Sequence, residues 1–85
     1  MLRVQKATNG EIILLLSGRM NLENVAEFEK VLKSEADGRR IVLDLKDLTL
    51  VDRDAVRFLA RCEADGIELR KCPAYVREWI TRERG

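Results

Sequence analysis

The pair Asn9-Gly10, set between two strand-like segments, constrains the folding of this chain more than any other local feature. Leu2 to Ala7 alternates apolar and polar residues, whereas Glu11 to Leu16 is nearly continuous apolar sequence. Asn and Gly both tolerate the positive φ that a tight hairpin turn demands, so the two segments are expected to pair antiparallel. A half-exposed strand would alternate, and the apolar run Ile12–Leu16 therefore predicts a strand buried on both faces or placed centrally in the sheet.

Beyond the hairpin, strand and helix patterns take turns. Gly18-Arg19-Met20-Asn21 is expected to break the second strand, with Asn21 as the N-cap of a helix whose core positions are Leu22, Val25, Phe28 or Glu29, and Leu32. Asp37-Gly38 closes that helix with a residue able to adopt the left-handed conformation. Arg40 to Leu45 reads as the next strand. A second helix starts near Asp52, with Ala55, Phe58, Leu59 and Cys62 facing the core, and ends at Asp65-Gly66. Ile67 to Arg70 is a short strand. Pro73 fits the first turn of a third helix in which Tyr75, Val76, Trp79 and Ile80 share a side, followed by a frayed tail from Thr81 to Gly85.

The order β-β-α-β-α-β-α predicts an α/β fold: a mixed, mostly parallel four-stranded sheet opened by a β-hairpin, with three helices packed on it. Eighty-five residues suffice for one domain, spanning 1–85, around one core. The 46% apolar and 36% charged fractions suit such a fold. A formal charge of +1 gives no general pull toward nucleic acid or an anionic membrane, and no apolar run is long enough to span a bilayer. Cys62 and Cys72 match no metal or redox spacing and are expected to be buried free thiols, which fits a reducing cytoplasm.

The sequence offers little to catalysis. It has no histidine, the side chain best suited to proton transfer near neutral pH and the commonest metal ligand. Ser17 and Ser34 have no identifiable base, and the glycines are scattered singly rather than gathered in a phosphate-binding loop. Asp44, Asp47, Asp52 and Asp54 all lie at or after the end of one strand, where carboxylates usually cap helices and solubilise. The chain is therefore expected to be no enzyme, to need no cofactor or metal, and to work by binding.

The segment from Ile41 to Leu59 carries the most information: an apolar strand ending in Asp44-Leu45, a short apolar loop, the acidic start Asp52-Arg53-Asp54, and an amphipathic helix. Here the sequence resembles the STAS domains, the anti-sigma-factor-antagonist family of bacteria, in which such a strand leads through a hydrophobic pair to Asp-Ser-Ser-Gly and a helix. The opening hairpin, the Leu-x-Gly-Arg-Met-Asn element from Leu16 to Asn21, and the turn Cys72-Pro73-Ala74-Tyr75-Val76 extend the resemblance over nearly the whole chain. It implies a cytoplasmic regulatory module that binds a protein partner, an anti-sigma factor or kinase-like regulator. STAS domains usually run further, with another strand and helix, so an exposed sheet edge and either a monomer or a weak homodimer are expected here.

In the family the second serine of Asp-Ser-Ser-Gly is phosphorylated, which switches binding off. The motif falls on Asp52, Arg53, Asp54 and Ala55, so the phosphoserine position holds Asp54 and the phospho-switch does not carry over. Asp54 then has two readings: a permanent negative charge standing in for phosphate, or a first-turn acid that stabilises the helix by about 0.3–1 kcal/mol. Arg53, Arg57 and Arg61 form a stripe at helical spacing, either a surface that recognises acidic groups or a solvated face relieved by neighbouring acids such as Asp54 and Asp65. The expected partner surface comprises Arg19, Met20 and Asn21 in the loop, with Asp52, Arg53, Asp54, Arg57 and Arg61. Met20 is included because a loop methionine need not be buried, whereas Tyr75 and Trp79 are expected in the core. A small-ligand or nucleotide sensor, holding an anion at the same helix start, is the alternative.

Overall fold

The hairpin forms as its pattern requires, with a longer loop. In the computed structural model, which describes residues 2–8, 10–35 and 40–84 (84 by its backbone), β1 (Leu2–Thr8) pairs antiparallel with β2 (Ile12–Met20). Thr8 lies opposite Ile12, so three residues connect the strands, not two, and Gly10 supplies a positive φ of 76°. Asn9, the other half of the expected turn, lies outside the described residues, as does the Asp37-Gly38 helix closure.

The remaining elements are α1 (Leu22–Glu35), β3 (Ile41–Val51), α2 (Arg53–Ala64), β4 (Glu68–Arg70) and α3 (Ala74–Arg84). The sheet order is β1-β2-β3-β4, with β2, β3 and β4 parallel. This is the expected mixed α/β architecture, with β1 and β4 at the edges.

Two strands are longer than their sequence suggests. Gly18 does not end β2: its φ of 91° and a register shift between Gly18 and Arg19 make an irregularity through which pairing continues to Met20 opposite Val51. The apolar stretch after Leu45 is likewise strand and not loop, because β3 follows β2 to that point.

One set of strand side chains meets the helices. Ile12, Leu14 and Leu16 of β2, Ile41, Leu43 and Leu45 of β3, and Leu69 of β4 share a core with Val25, Phe28 and Leu32 of α1, Ala55, Phe58, Leu59 and Cys62 of α2, and Val76 and Ile80 of α3. Phe28 and Phe58 meet edge to face, ring centroids 5.9 Å apart, and tie α1 to α2. Leu22, expected on the core face of α1, is instead 60% exposed, since the helix turns its first residue toward solvent.

The alternate set lies on the sheet face away from the helices. Ile13 and Leu15 are half-buried there, so β2 is central but closed on one face only. Val42 is fully buried on that face although it stands outside the core of the helical side. Its neighbour in register, Glu68, joins Arg70, Glu11 and Arg40 in a ring of ion pairs at 2.6–3.8 Å across the starts of three strands. The stems of such long side chains cover apolar surface that no helix reaches.

The helices are capped as their sequence specifies. Asn21 and Asn24 exchange amide-to-side-chain hydrogen bonds at 3.1 and 3.3 Å at the start of α1. Asp65 and Gly66 end α2, where the Gly66 and Ile67 amides donate to the Glu63 and Cys62 carbonyls, a closure that uses the positive φ of 94° at Gly66. Pro73 sits just ahead of α3, its carbonyl accepting from the Arg77 amide. The expected fraying after Thr81 does not occur through residue 84: the Thr81 hydroxyl donates to the Arg77 carbonyl, and Glu83 is clasped by arginines of α2. Among the described residues no helix is long and apolar enough to cross a membrane.

Candidate functional site

Of the expected site residues, Arg19, Met20, Asn21, Asp52, Arg53 and Asp54 lie where β2 and β3 end and α1 and α2 begin, whereas Arg57 lies further along α2 and Arg61 in its last turn. The Asp52 amide donates to the Met20 carbonyl at 3.2 Å, joining the end of β2 to the cap of α2. Arg19 pairs in register with Leu50, and the Thr49 hydroxyl donates to the Gly18 carbonyl at 3.0 Å. The Tyr75 hydroxyl of α3 donates to the Thr49 carbonyl at 3.2 Å and brings the third helix to the same place.

Within this assembly the side chains have different tasks. Asp52 accepts from the Ala55 amide at 2.9 Å with its Oδ1, so this carboxylate is spent on capping α2. Asp54 is exposed in the first turn, where its charge favours the positive end of the helix dipole. Met20 is not a contact residue: as the last residue of β2 it is 1% exposed and part of the core. Asn21 caps α1 and is exposed, and Arg19 is exposed beside it. The remaining acids do not form a paired site. Asp44 is buried on the open sheet face, its Oδ1 accepting from the Lys46 amide, while Asp47 is exposed.

The arginine stripe of α2 is exposed as expected, but its relief comes from another helix. Arg53 and Arg57 both contact the Glu83 carboxylate of α3, at 3.4 and 3.3 Å, while Arg61 has no ion pair among the described residues. Neither Asp54 nor Asp65 supplies the partner.

The sequence reading missed the apolar part of this surface. Leu22, Leu50 and Tyr75 are 60%, 56% and 47% exposed, and each stands beside the joined ends of β2 and β3. Tyr75 was expected in the core, but α3 turns Val76 and Ile80 inward and leaves Trp79 half-buried and Tyr75 at the rim. Helical spacing identifies an apolar face without locating its edge. For Leu50, strict alternation at Leu48, Leu50 and the buried Val51 breaks down, so no periodic signal marked it.

Cys62 and Cys72 are free; Cys62 is buried in the core, whereas Cys72 is only half-buried. Burial, with the Asp65 charge next, pushes the Cys62 thiol up to about 12. Burial also raises the Cys72 thiol.

No family model matches the sequence, and no curated protein matches it. Solved structures do. An anti-sigma factor antagonist, SpoIIAA in its unphosphorylated form, aligns over 100% of this chain and 99% of its own at a TM-score of 0.52 and 16% identity. The chain has a STAS-like fold. An uncharacterised protein from Shewanella loihica PV-4, of the DUF3478 family and with a SpoIIAA-like fold, aligns over 98% of this chain and 75% of its own, at a TM-score of 0.60 and 13% identity. The protein Mglu aligns over 85% of this chain at a TM-score of 0.63 and 23% identity, and the STAS-like chain spans only 19% of Mglu. The STAS-like fold thus stands both at the size of SpoIIAA and as a small part of a longer protein.

Proposed function

We propose that this STAS-like chain is a non-enzymatic regulatory module of the bacterial cytoplasm that binds a protein partner, an anti-sigma factor or kinase-like regulator, through the joined ends of β2 and β3. One observation carries the reading: of the five exposed large apolar side chains among the described residues, three stand on the segments that meet there, Leu22 at the start of α1, Leu50 near the end of β3 and Tyr75 on the helix whose hydroxyl reaches Thr49. Arg19, Asn21, Arg53 and Asp54, all exposed, stand on the same segments. An apolar centre within a polar rim is the anatomy of a protein interface. The fold shared with the anti-sigma factor antagonist SpoIIAA supports the class of partner.

The nucleotide-sensor alternative has less support. The Asp52 carboxylate already holds the Ala55 amide at the α2 start, and Asp54 adds a second negative charge where an anion would dock. With Asp54 at the family's phosphoserine position, the module works without a phospho-switch at that site. The test is an NMR titration of the labelled chain with a purified kinase-like anti-sigma regulator. Shifts centred on Arg19, Leu22, Leu50, Arg53 and Tyr75 support the reading. Shifts centred on Gln5, Ile13 and Leu15 of the open sheet face, or a response to nucleotide alone, overturn it.

A further inference from the structure

A cavity of about 540 Å³ opens between the start of α2 and α3, lined by Arg53, Tyr75, Glu78, Trp79, Arg82 and Glu83. One wall is aromatic. Trp79 is half-buried and packs against the core, and the exposed Tyr75 is held by its hydrogen bond to Thr49. The rest of the lining is charged, Arg53 and Arg82 with Glu78 and Glu83, and Arg53 is incompletely paired; Arg57 does not line the cavity but meets Arg53 at Glu83. Arg53 and Arg57 share the single Glu83 carboxylate, each through Nε at 3.3–3.4 Å. Among the described residues neither donates a hydrogen bond from its terminal nitrogens. Arg77 shows the contrast: both its terminal nitrogens donate to Glu63 at 2.8 Å, and its fork is filled. The other acid lining the cavity is Glu78, which is held by Arg82 at 2.8 Å.

An open guanidinium fork fits a carboxylate bidentately, and a flat apolar wall fits an aromatic ring. A carboxylate alone would form only an exposed ion pair of little worth, so the neighbouring apolar group is what gives the cleft affinity. We propose that this cleft receives an acidic side chain and an adjacent aromatic side chain from the protein partner. The inference rests on the partner-binding reading above, because Tyr75 belongs to both the cleft and the apolar cluster.

Trp79 is the only tryptophan, so its emission reports the cleft directly. The probes are three capped peptides, Gly-Asp-Phe-Gly, Gly-Asn-Phe-Gly and Gly-Asp-Ala-Gly, titrated against the full chain. The first is expected to shift Trp79 emission and to bind about tenfold more tightly than the other two, with the advantage shrinking as salt rises. The Arg53→Gln, Arg57→Gln double variant and, independently, Tyr75→Ala are each expected to lose that advantage, with folding checked by circular dichroism. Equal or absent responses to the three peptides, or an advantage that survives the double variant, overturn the proposal. So does an equal shift with inorganic phosphate alone. If the peptides fail while Leu22→Asp or Leu50→Asp still weakens binding of the regulator, the cleft falls and the partner surface stands. If the peptides bind but the leucine variants leave regulator binding unchanged, the cleft stands as a peptide site and the larger surface falls.

Discussion

Tyr75 on α3 reaches across to Thr49 on β3, its hydroxyl 3.2 Å from the backbone carbonyl, and so fixes a half-exposed aromatic ring beside the exposed Leu50. The contact lies at the surface, and its loss is expected to cost little stability. Tyr75→Phe is predicted to lower unfolding free energy by about 0.5 kcal/mol in a denaturant titration. The same substitution frees the ring and is expected to weaken binding of the partner more than it weakens the fold.

The two acids of the α2 start are predicted to separate by role. Asp52→Ala removes the cap on the Ala55 amide and is expected to destabilise the chain by about 1 kcal/mol. Asp54→Ser removes only a first-turn charge, with an expected loss of about 0.3–1 kcal/mol. If Asp54 serves the helix alone, its serine variant binds the regulator as the parent does. A changed affinity in equilibrium binding would assign Asp54 the role of a phosphate stand-in.

Glu68 gives a pH dependence. Hydrogen bonds from Arg70 and then Arg40 hold its carboxyl below the usual glutamate range. Because the folded-state pKa lies below the unfolded one, the contribution is present above ~pH 4.3 and is lost as pH falls through the folded value. Glu68→Gln is therefore expected to be less stable than the parent at neutral pH. The gap should narrow in acid and, because the group is partly open to solvent, in high salt. Unfolding midpoints measured across pH and salt check this.

The thiols are predicted to differ in reactivity. At ~pH 8 a thiol-specific reagent should modify the half-buried Cys72 slowly and leave Cys62 untouched until the chain unfolds, because burial disfavours its thiolate. Counting modified thiols with and without denaturant measures it.

The fold was legible because its signals are local. Asn21 and Asp52 mark helix starts, Asp65-Gly66 marks a stop, and the apolar runs of β2 and β3 place both strands at the centre. The strand ends were not legible, since a pairing partner extends β2 past Gly18 and β3 past Leu45, and neither segment carries that information alone. For the candidate site, the nearness of Asn21 to Asp52 was legible from the two helix starts, but the contacts of its side chains were not. Periodicity showed that Arg53 and Arg57 face outward, but their partner Glu83 lies on another helix, far along the chain. Met20 was misjudged because the strand reaches it, and Tyr75 because an apolar stripe does not show where burial stops.

Leu22, Leu50 and Tyr75 are proposed to bind the partner, and the five exposed large apolar residues among the described ones provide their own control. Val4 and Val31 are 36% and 37% exposed and lie on β1 and α1, apart from the cluster. Calorimetric titration of the purified anti-sigma regulator into Leu22→Asp, Leu50→Asp and Val31→Asp is the most direct measurement. The account predicts that each leucine variant binds at least about tenfold more weakly while Val31→Asp binds as the parent does. Unchanged binding by Leu22→Asp and Leu50→Asp, or an equal loss in Val31→Asp, would contradict it.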